Sequence, residues 1–215
     1  MTETAYRALT DYIRSTAVTS ESLQAATEGA AEFGVPTLDA ISGSVLTLLG
    51  SQAARGVEPS AIAVTPAAAV VGLHLFEGMG PAGHLTCIDP ELEHQKLARR
   101  SFTEAGIAAS RFRFLPSRPL EVMGRLATNS YDIVYGDVAP QDMQAFVDSA
   151  WPLIRPSGMI IVAASLLDGT VADESRTDRD TAAARALDEQ LRDYHDALVT
   201  RLPLAGGLSI ISKRP

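Results

Sequence analysis

The apolar and polar positions of this chain fall into three regimes. Up to about residue 56 the apolar residues recur at helical spacing. Tyr6, Leu9 and Ile13, with Tyr12 beside them, mark a first helix. A second runs from Leu23 to Phe33, opened by Thr19-Ser20-Glu21 and stopped by Gly34-Val35-Pro36. A third runs from Asp39 to Ala54 and carries Ile41, Val45, Leu46, Leu48 and Leu49. From Ala61 the pattern changes to short continuous apolar runs separated by longer amphipathic ones. Ala61-Ile62-Ala63-Val64 reads as a strand covered on both faces. Thr65 is then placed as an N-cap, with Pro66 at the first helical position of a helix from about Ala67 to Phe76, closed by Gly78 and Gly80. Strands are predicted at His84 to Ile88, Arg111 to Leu115, Tyr131 to Tyr135 and Gly158 to Ala163. Helices are predicted between them at Glu91 to Ala105, Leu120 to Leu126 and Met143 to Ile154. The third regime is a polar helix from Asp178 to Tyr194, then Ala197 to Leu202 and Leu208 to Ser212 around Gly206-Gly207. Two strands so close in sequence can only pair as an antiparallel hairpin.

Alternating strands and helices give a doubly wound α/β fold, its sheet mostly parallel and closed by the hairpin. A length of 215 residues and 46% hydrophobic content fit a single domain over 1–215, with 1–56 as a helical extension and 57–215 as a Rossmann-like core. The extension could cover a ligand site, form a dimer surface or simply cover the core, and the pattern leaves these open. The net charge of −8, with scattered basic residues, argues against nucleic acid or an anionic membrane as partner. The one cysteine, Cys87, falls in a strand and reads as a small buried hydrophobe. Met1 to Ala17 is polar and charged, and no apolar run nears the ~20 residues of a membrane span, so a soluble, cytoplasmic protein is expected.

The chemistry gathers on the stretch from Ala61 to Asp89, one nucleotide-binding βαβ unit. Asp89 lies where an acidic side chain meets the ribose hydroxyls of a bound nucleoside; the alternative is that it caps the helix beginning at Pro90-Glu91. The turn before the helix lacks the early glycines that bring backbone against a pyrophosphate, which counts against NAD or FAD. It counts less against S-adenosylmethionine, which has no phosphate. His84, His94 and His195 show no metal-pair spacing, His74 reads as a packed or surface histidine, and Ser165 lacks the context of a hydrolase nucleophile. Asp168 and Asp173 flank a loop expected at the strand ends, as solvated carboxylates or a general base.

Several stretches in order, from Ser44-Val45-Leu46-Thr47-Leu48-Leu49 through Leu85-Thr86-Cys87-Ile88-Asp89-Pro90, Tyr131-Asp132-Ile133-Val134 and Asp168-Gly169-Thr170-Val171-Ala172-Asp173 to Gly206-Gly207-Leu208, are similar to the S-adenosylmethionine-dependent O-methyltransferases of the catechol and caffeoyl-CoA type. The resemblance, over about Val35 to Lys213, implies the class I methyltransferase fold, a homodimer, and methyl transfer to a small hydroxylated acceptor. By position it implies donor binding by Thr65, Pro66, Ala69, Val71, Asp89, Ser117, Arg118 and Asp137. The family's first motif resembles E-x-G-T-x-x-G-x-S; here Ala63 replaces the acid, Thr65 the first glycine and Ala69 the second. The family's divalent cation is held by an Asp after the fourth strand and an Asp-Asn pair after the fifth. Asp137 matches the first; the pair falls on Ala163-Ala164 or Ala164-Ser165, and Pro140 or a neighbour replaces the family's lysine base. No tight divalent-metal site is therefore expected, and Asp137 is the candidate for orienting or deprotonating the acceptor. The runner-up is a binding or regulatory protein on a catalytically inactive methyltransferase scaffold, with a dehydrogenase third.

Overall fold

The computed structural model describes residues 2–54 and 58–215, so the predicted boundary between helical extension and core, at 56/57, lies outside the described residues. Three helices come first: α1 (Glu3–Thr16), α2 (Glu21–Glu32) and α3 (Ala40–Ala53). Thr2, Ser20 and Asp39 cap them, each side chain accepting a backbone N–H three residues on. Alternation then follows as β1 (Ser60–Val64), α4 (Ala68–Met79), β2 (His84–Ile88), α5 (Leu92–Glu104), β3 (Phe112–Leu115), α6 (Pro119–Val122), β4 (Tyr131–Gly136), α7 (Met143–Ala150), β5 (Ile154–Val162), α8 (Arg179–Arg192), β6 (Ala197–Leu202) and β7 (Leu208–Lys213).

The seven strands form one sheet in the order β3-β2-β1-β4-β5-β7-β6. β1 to β5 pair in parallel, and β7 runs antiparallel to both β5 and β6. The order reverses between β1 and β4, and a doubly wound sheet opens its ligand crevice outside the carboxyl ends of the strands at such a point. β6 runs the same way as β5, which puts the β6–β7 loop at that same end. One core, including Leu46, Val71, Leu75, Phe76 and Phe102, joins α3, α4 and α5 to the sheet. Another, including Ile62, Val134, Phe146 and Leu187, joins α7 and α8 to it. α1 is different: it buries none of its residues, and Tyr6, Leu9, Tyr12 and Ile13 stay exposed along it. Among the described residues no helix is long and apolar enough to cross a membrane.

The differences from the predicted elements have local causes. Thr65 and Pro66 form a turn ahead of the helix, which begins at Ala68 rather than Ala67 and runs on to Met79. Gly78 lies inside it because α3 packs so close that a Cβ there would sit 2.1 Å from the Thr47 carbonyl oxygen. The predicted helix from Leu120 shrinks to α6 and a 3₁₀ turn, Met123–Arg125, in which Gly124 is a weak helix former. α7 ends at Ala150, short of the predicted Ile154, just before Pro152. β5 starts early, at Ile154 beside Tyr131, with an irregular register between Tyr131 and Ile133.

Candidate functional site

The β1–α4 turn is built by Thr65. Its Oγ1 accepts the Ala67 N–H at 3.1 Å and donates to Asp137 Oδ2 at 3.4 Å, tying the carboxyl ends of β1 and β4 together. The hydroxyl therefore stabilises the bend rather than the predicted N-cap, and α4 has no side-chain cap. Every residue from Ala67 to Val71 is buried; Ala67 and Ala69 are 3% and 2% exposed. Where glycines would leave room for a ligand, this turn carries methyl groups packed into the protein. Ala63, at the position of the family's acid, lies fully buried within β1.

Asp89 follows β2 and is 6% exposed. Its Oδ1 accepts the Glu91 N–H at 3.1 Å, closing a turn of the kind that aspartates favour, and α5 begins only at Leu92. Its Oδ2 lies 2.6 Å from His94 Nδ1, and its carbonyl oxygen accepts Gln95 Nε2–H at 2.6 Å. The aspartate therefore closes the turn ahead of α5 and does not cap the helix, whose N-cap residue, Glu91, has no side-chain cap; each carboxylate oxygen keeps a further acceptor site. On the neighbouring strand, the Ser117 N–H folds back to the Leu115 carbonyl at 2.9 Å; Ser117 is half-buried and Arg118 exposed, at the start of α6.

Asp137 continues β4, its N–H donating to the Val64 carbonyl at 2.9 Å. Burial pushes its carboxyl above the usual carboxylate range, and the Thr65 hydroxyl partly offsets the rise. Beside it the positions matching the family's metal-binding pair serve the backbone. The Ala163 N–H donates to the Gly136 carbonyl, and Ala164 sits at a φ of 51° with its N–H on the Ala205 carbonyl at 2.8 Å. Ser165 Oγ is 2.7 Å from the Gly207 carbonyl and 2.8 Å from Ser209 Oγ. These bonds clamp the β6–β7 loop, where a Cβ on Gly207 would fall 2.4 Å from Leu166 Cβ. Left-handed residues other than glycine, Ala164, Leu167, Asp168 and Ala205, gather in these loops; such backbone costs roughly 1–3 kcal/mol per residue and concentrates at functional sites. Pro140 opens a 3₁₀ turn, Pro140–Asp142. Among the described residues no three His, Cys, Asp or Glu side chains gather as a metal site would need.

A cavity of about 530 Å³ opens against the same loops. Tyr6 and Arg14 of α1, Asp39 and Ser42 at the start of α3, and Asp168 with Gly206 line it. The Arg14 guanidinium holds Asp39 at 2.7 Å, and Asp168 binds back through its N–H to the Gly206 carbonyl. A smaller cavity of about 280 Å³ lies at the opposite end of the sheet, among Ser60, His84, Phe112 and Tyr131. His74 is buried, its Nδ1 3.2 Å from Thr47 Oγ1, and burial lowers its pKa. His94, in contact with Asp89, is not singled out by the spacing of the histidines. The signal for it is an aspartate at a strand end followed five residues later by histidine on the first turn of the next helix.

A family profile described as O-methyltransferase matches residues 70–214. The chain is 37% identical over 185 residues to a protein of Mycolicibacterium vanbaalenii provisionally named an O-methyltransferase, covering 86% of this chain and 80% of that one. The crystal structure of a Corynebacterium glutamicum protein superposes with a TM-score of 0.94 at 49% identity, covering 98% of each chain. That of the O-methyltransferase TomG from Streptomyces achromogenes, determined in complex with S-adenosylmethionine, superposes with a TM-score of 0.84 at 21% identity over the full length of both chains. With its class I methyltransferase topology and these relatives, the chain belongs to the O-methyltransferase family.

Proposed function

We propose that this protein is an S-adenosylmethionine-dependent O-methyltransferase acting in the cytoplasm on a small hydroxylated molecule, as one domain and without the family's divalent metal. The observation that carries the reading is the placement of two carboxylates, the buried Asp89 and the half-buried Asp137, at the carboxyl ends of strands on either side of the switch point. Asp89 would hold the ribose hydroxyls of the donor, with Ser117 and Arg118 of the next strand end beside the nucleoside. Thr65, Pro66, Ala69 and Val71 would wall the methionine end, near Asp137. When bound, the donor supplies a methyl group already activated on a sulfonium. The residues here fit its nucleoside end better than its amino-acid end, because Ala63 provides no carboxylate for the ammonium.

The work left to the protein is positioning and proton handling. Asp137 accepts the proton of the acceptor hydroxyl; its raised pKa brings it nearer the range in which a carboxylate serves as a base. The acceptor's proposed place is beside Asp137 at the carboxyl end of β4; the cavity between α1 and the β6–β7 loop opens at the same end of the sheet, and Asp137 is not among the residues that line it. A metal has one matching side chain, Asp137, and Ala164 and Ser165 are committed to the hairpin, so no step is assigned to a cation. The exposed apolar stripe of α1 supports a homodimer through the N-terminal helices, which light scattering would test.

The burial of Ala67 to Val71 favours the second reading, a binding protein on an inactive scaffold. Incubation with radiolabelled S-adenosylmethionine and a panel of small catechols, phenols and alcohols, in EDTA, separates the two. Label transferred by the native protein and lost in Asp137→Asn supports the enzyme. Donor binding with no transfer to any acceptor supports the scaffold.

A further inference from the structure

We infer that His94 is a positioning residue for the donor: it fixes the Asp89 carboxylate in the orientation that receives the ribose hydroxyls. The inference rests on the proposed donor role of Asp89. A carboxylate can only accept, so His94 Nδ1 carries the hydrogen of the 2.6 Å contact with Oδ2. The two side chains are 18% and 8% exposed, so water competes little for either. The Glu91 N–H holds Oδ1 at 3.1 Å and Gln95 Nε2 holds the Asp89 carbonyl at 2.6 Å. Three donors from one short segment therefore fix the Asp89 backbone and both carboxylate oxygens, and the acceptor sites that remain are the ones a ligand can use.

His94 is itself held from outside the sheet. The Phe33 ring, at the end of α2, meets the imidazole edge-on with centroids 6.3 Å apart and planes at 75°. α2 is seated there because Gly29 lets it close on Leu97 of α5, to where a Cβ would lie 2.7 Å from Leu97 Cδ1. The helical extension thus reaches the donor carboxylate through one imidazole, which assigns this layer a task besides covering the core.

The test is calorimetric titration with S-adenosylhomocysteine and with its 2′,3′-dideoxy analogue, on the native protein and on His94→Leu, His94→Asn and Asp89→Ala. The native protein should prefer the hydroxylated ligand, and His94→Leu should cut that preference by about tenfold, the equivalent of one charge-assisted hydrogen bond. His94→Asn, whose amide N–H can take the place of Nδ1–H, should restore most of the preference. Asp89→Ala should bind both ligands alike. If His94→Leu weakens both ligands equally, or neither, the inference is overturned while the donor role of Asp89 stands. A native protein that binds the two ligands equally overturns the role of Asp89, and with it the inference.

Discussion

Replacing Asp89 by alanine removes a carboxylate that serves the fold and the proposed ligand at once. In the fold, it leaves the Glu91 N–H and the half-enclosed His94 imidazole without their acceptor. Losing a hydrogen bond to a charged group costs about 1.5–3 kcal/mol, and losing the acceptor of the Glu91 N–H adds about 1 kcal/mol. A total near 3 kcal/mol corresponds, for a chain of this size, to a fall in Tm of about 6–12 °C. At the site, the ribose hydroxyls lose an ionised acceptor, which weakens donor binding roughly 10- to 150-fold. Thermal denaturation reads the first effect and calorimetry with S-adenosylhomocysteine the second. A lower Tm with unchanged affinity would reduce Asp89 to a brace of the β2–α5 turn and refute its ligand role. No change in either would refute the energetic reading of its contacts.

Four other outcomes are expected. Burial raises the Asp137 pKa above its unfolded value, so this group contributes stability that is present below the ordinary carboxylate pKa and lost as pH rises through the folded one. Asp137→Asn should therefore melt higher than the native protein at pH 7 and no higher near pH 3, and should lose methyl transfer. Thr65→Val removes the hydroxyl that lowers the Asp137 pKa and accepts the Ala67 N–H; it should move the acid limb of the rate profile to higher pH and cost about 1 kcal/mol in urea denaturation. Gly78→Ala sets a methyl group against the Thr47 carbonyl, an overpacking of about 1–3 kcal/mol that lowers Tm. Saturating EDTA should leave methyl transfer unchanged, and a fall restored by Mg²⁺ would sink the metal-free reading.

The fold was legible because its signals are local and repeated. Continuous apolar runs such as Ala61 to Val64, set between amphipathic stretches, allow little but a parallel sheet, and the Leu202 to Leu208 connection is too short for anything but a hairpin. Boundaries slipped where tertiary contact overrode propensity: α4 passes through Gly78 because α3 presses on it, and Pro66 lies in a turn because Thr65 bonds across to Asp137. The candidate site was partly legible. Asp89 and Asp137 follow from their places after β2 and β4. The Asp89–His94 pair was not foreseen, because a contact across a turn depends on where the next helix begins. Nor was the standing of α1: its Tyr6, Leu9 and Ile13 pattern is that of a core-facing helix, yet the side chains stay outside the core. Periodicity states that a face wants cover and not what covers it.

The most direct test of the account is calorimetric titration of the native protein with S-adenosylmethionine in EDTA. A single site of micromolar affinity that needs no metal is expected. Absence of binding up to millimolar donor would contradict it, and would mean that the alanines packed into the β1–α4 turn have closed the slot that the family's glycines keep open.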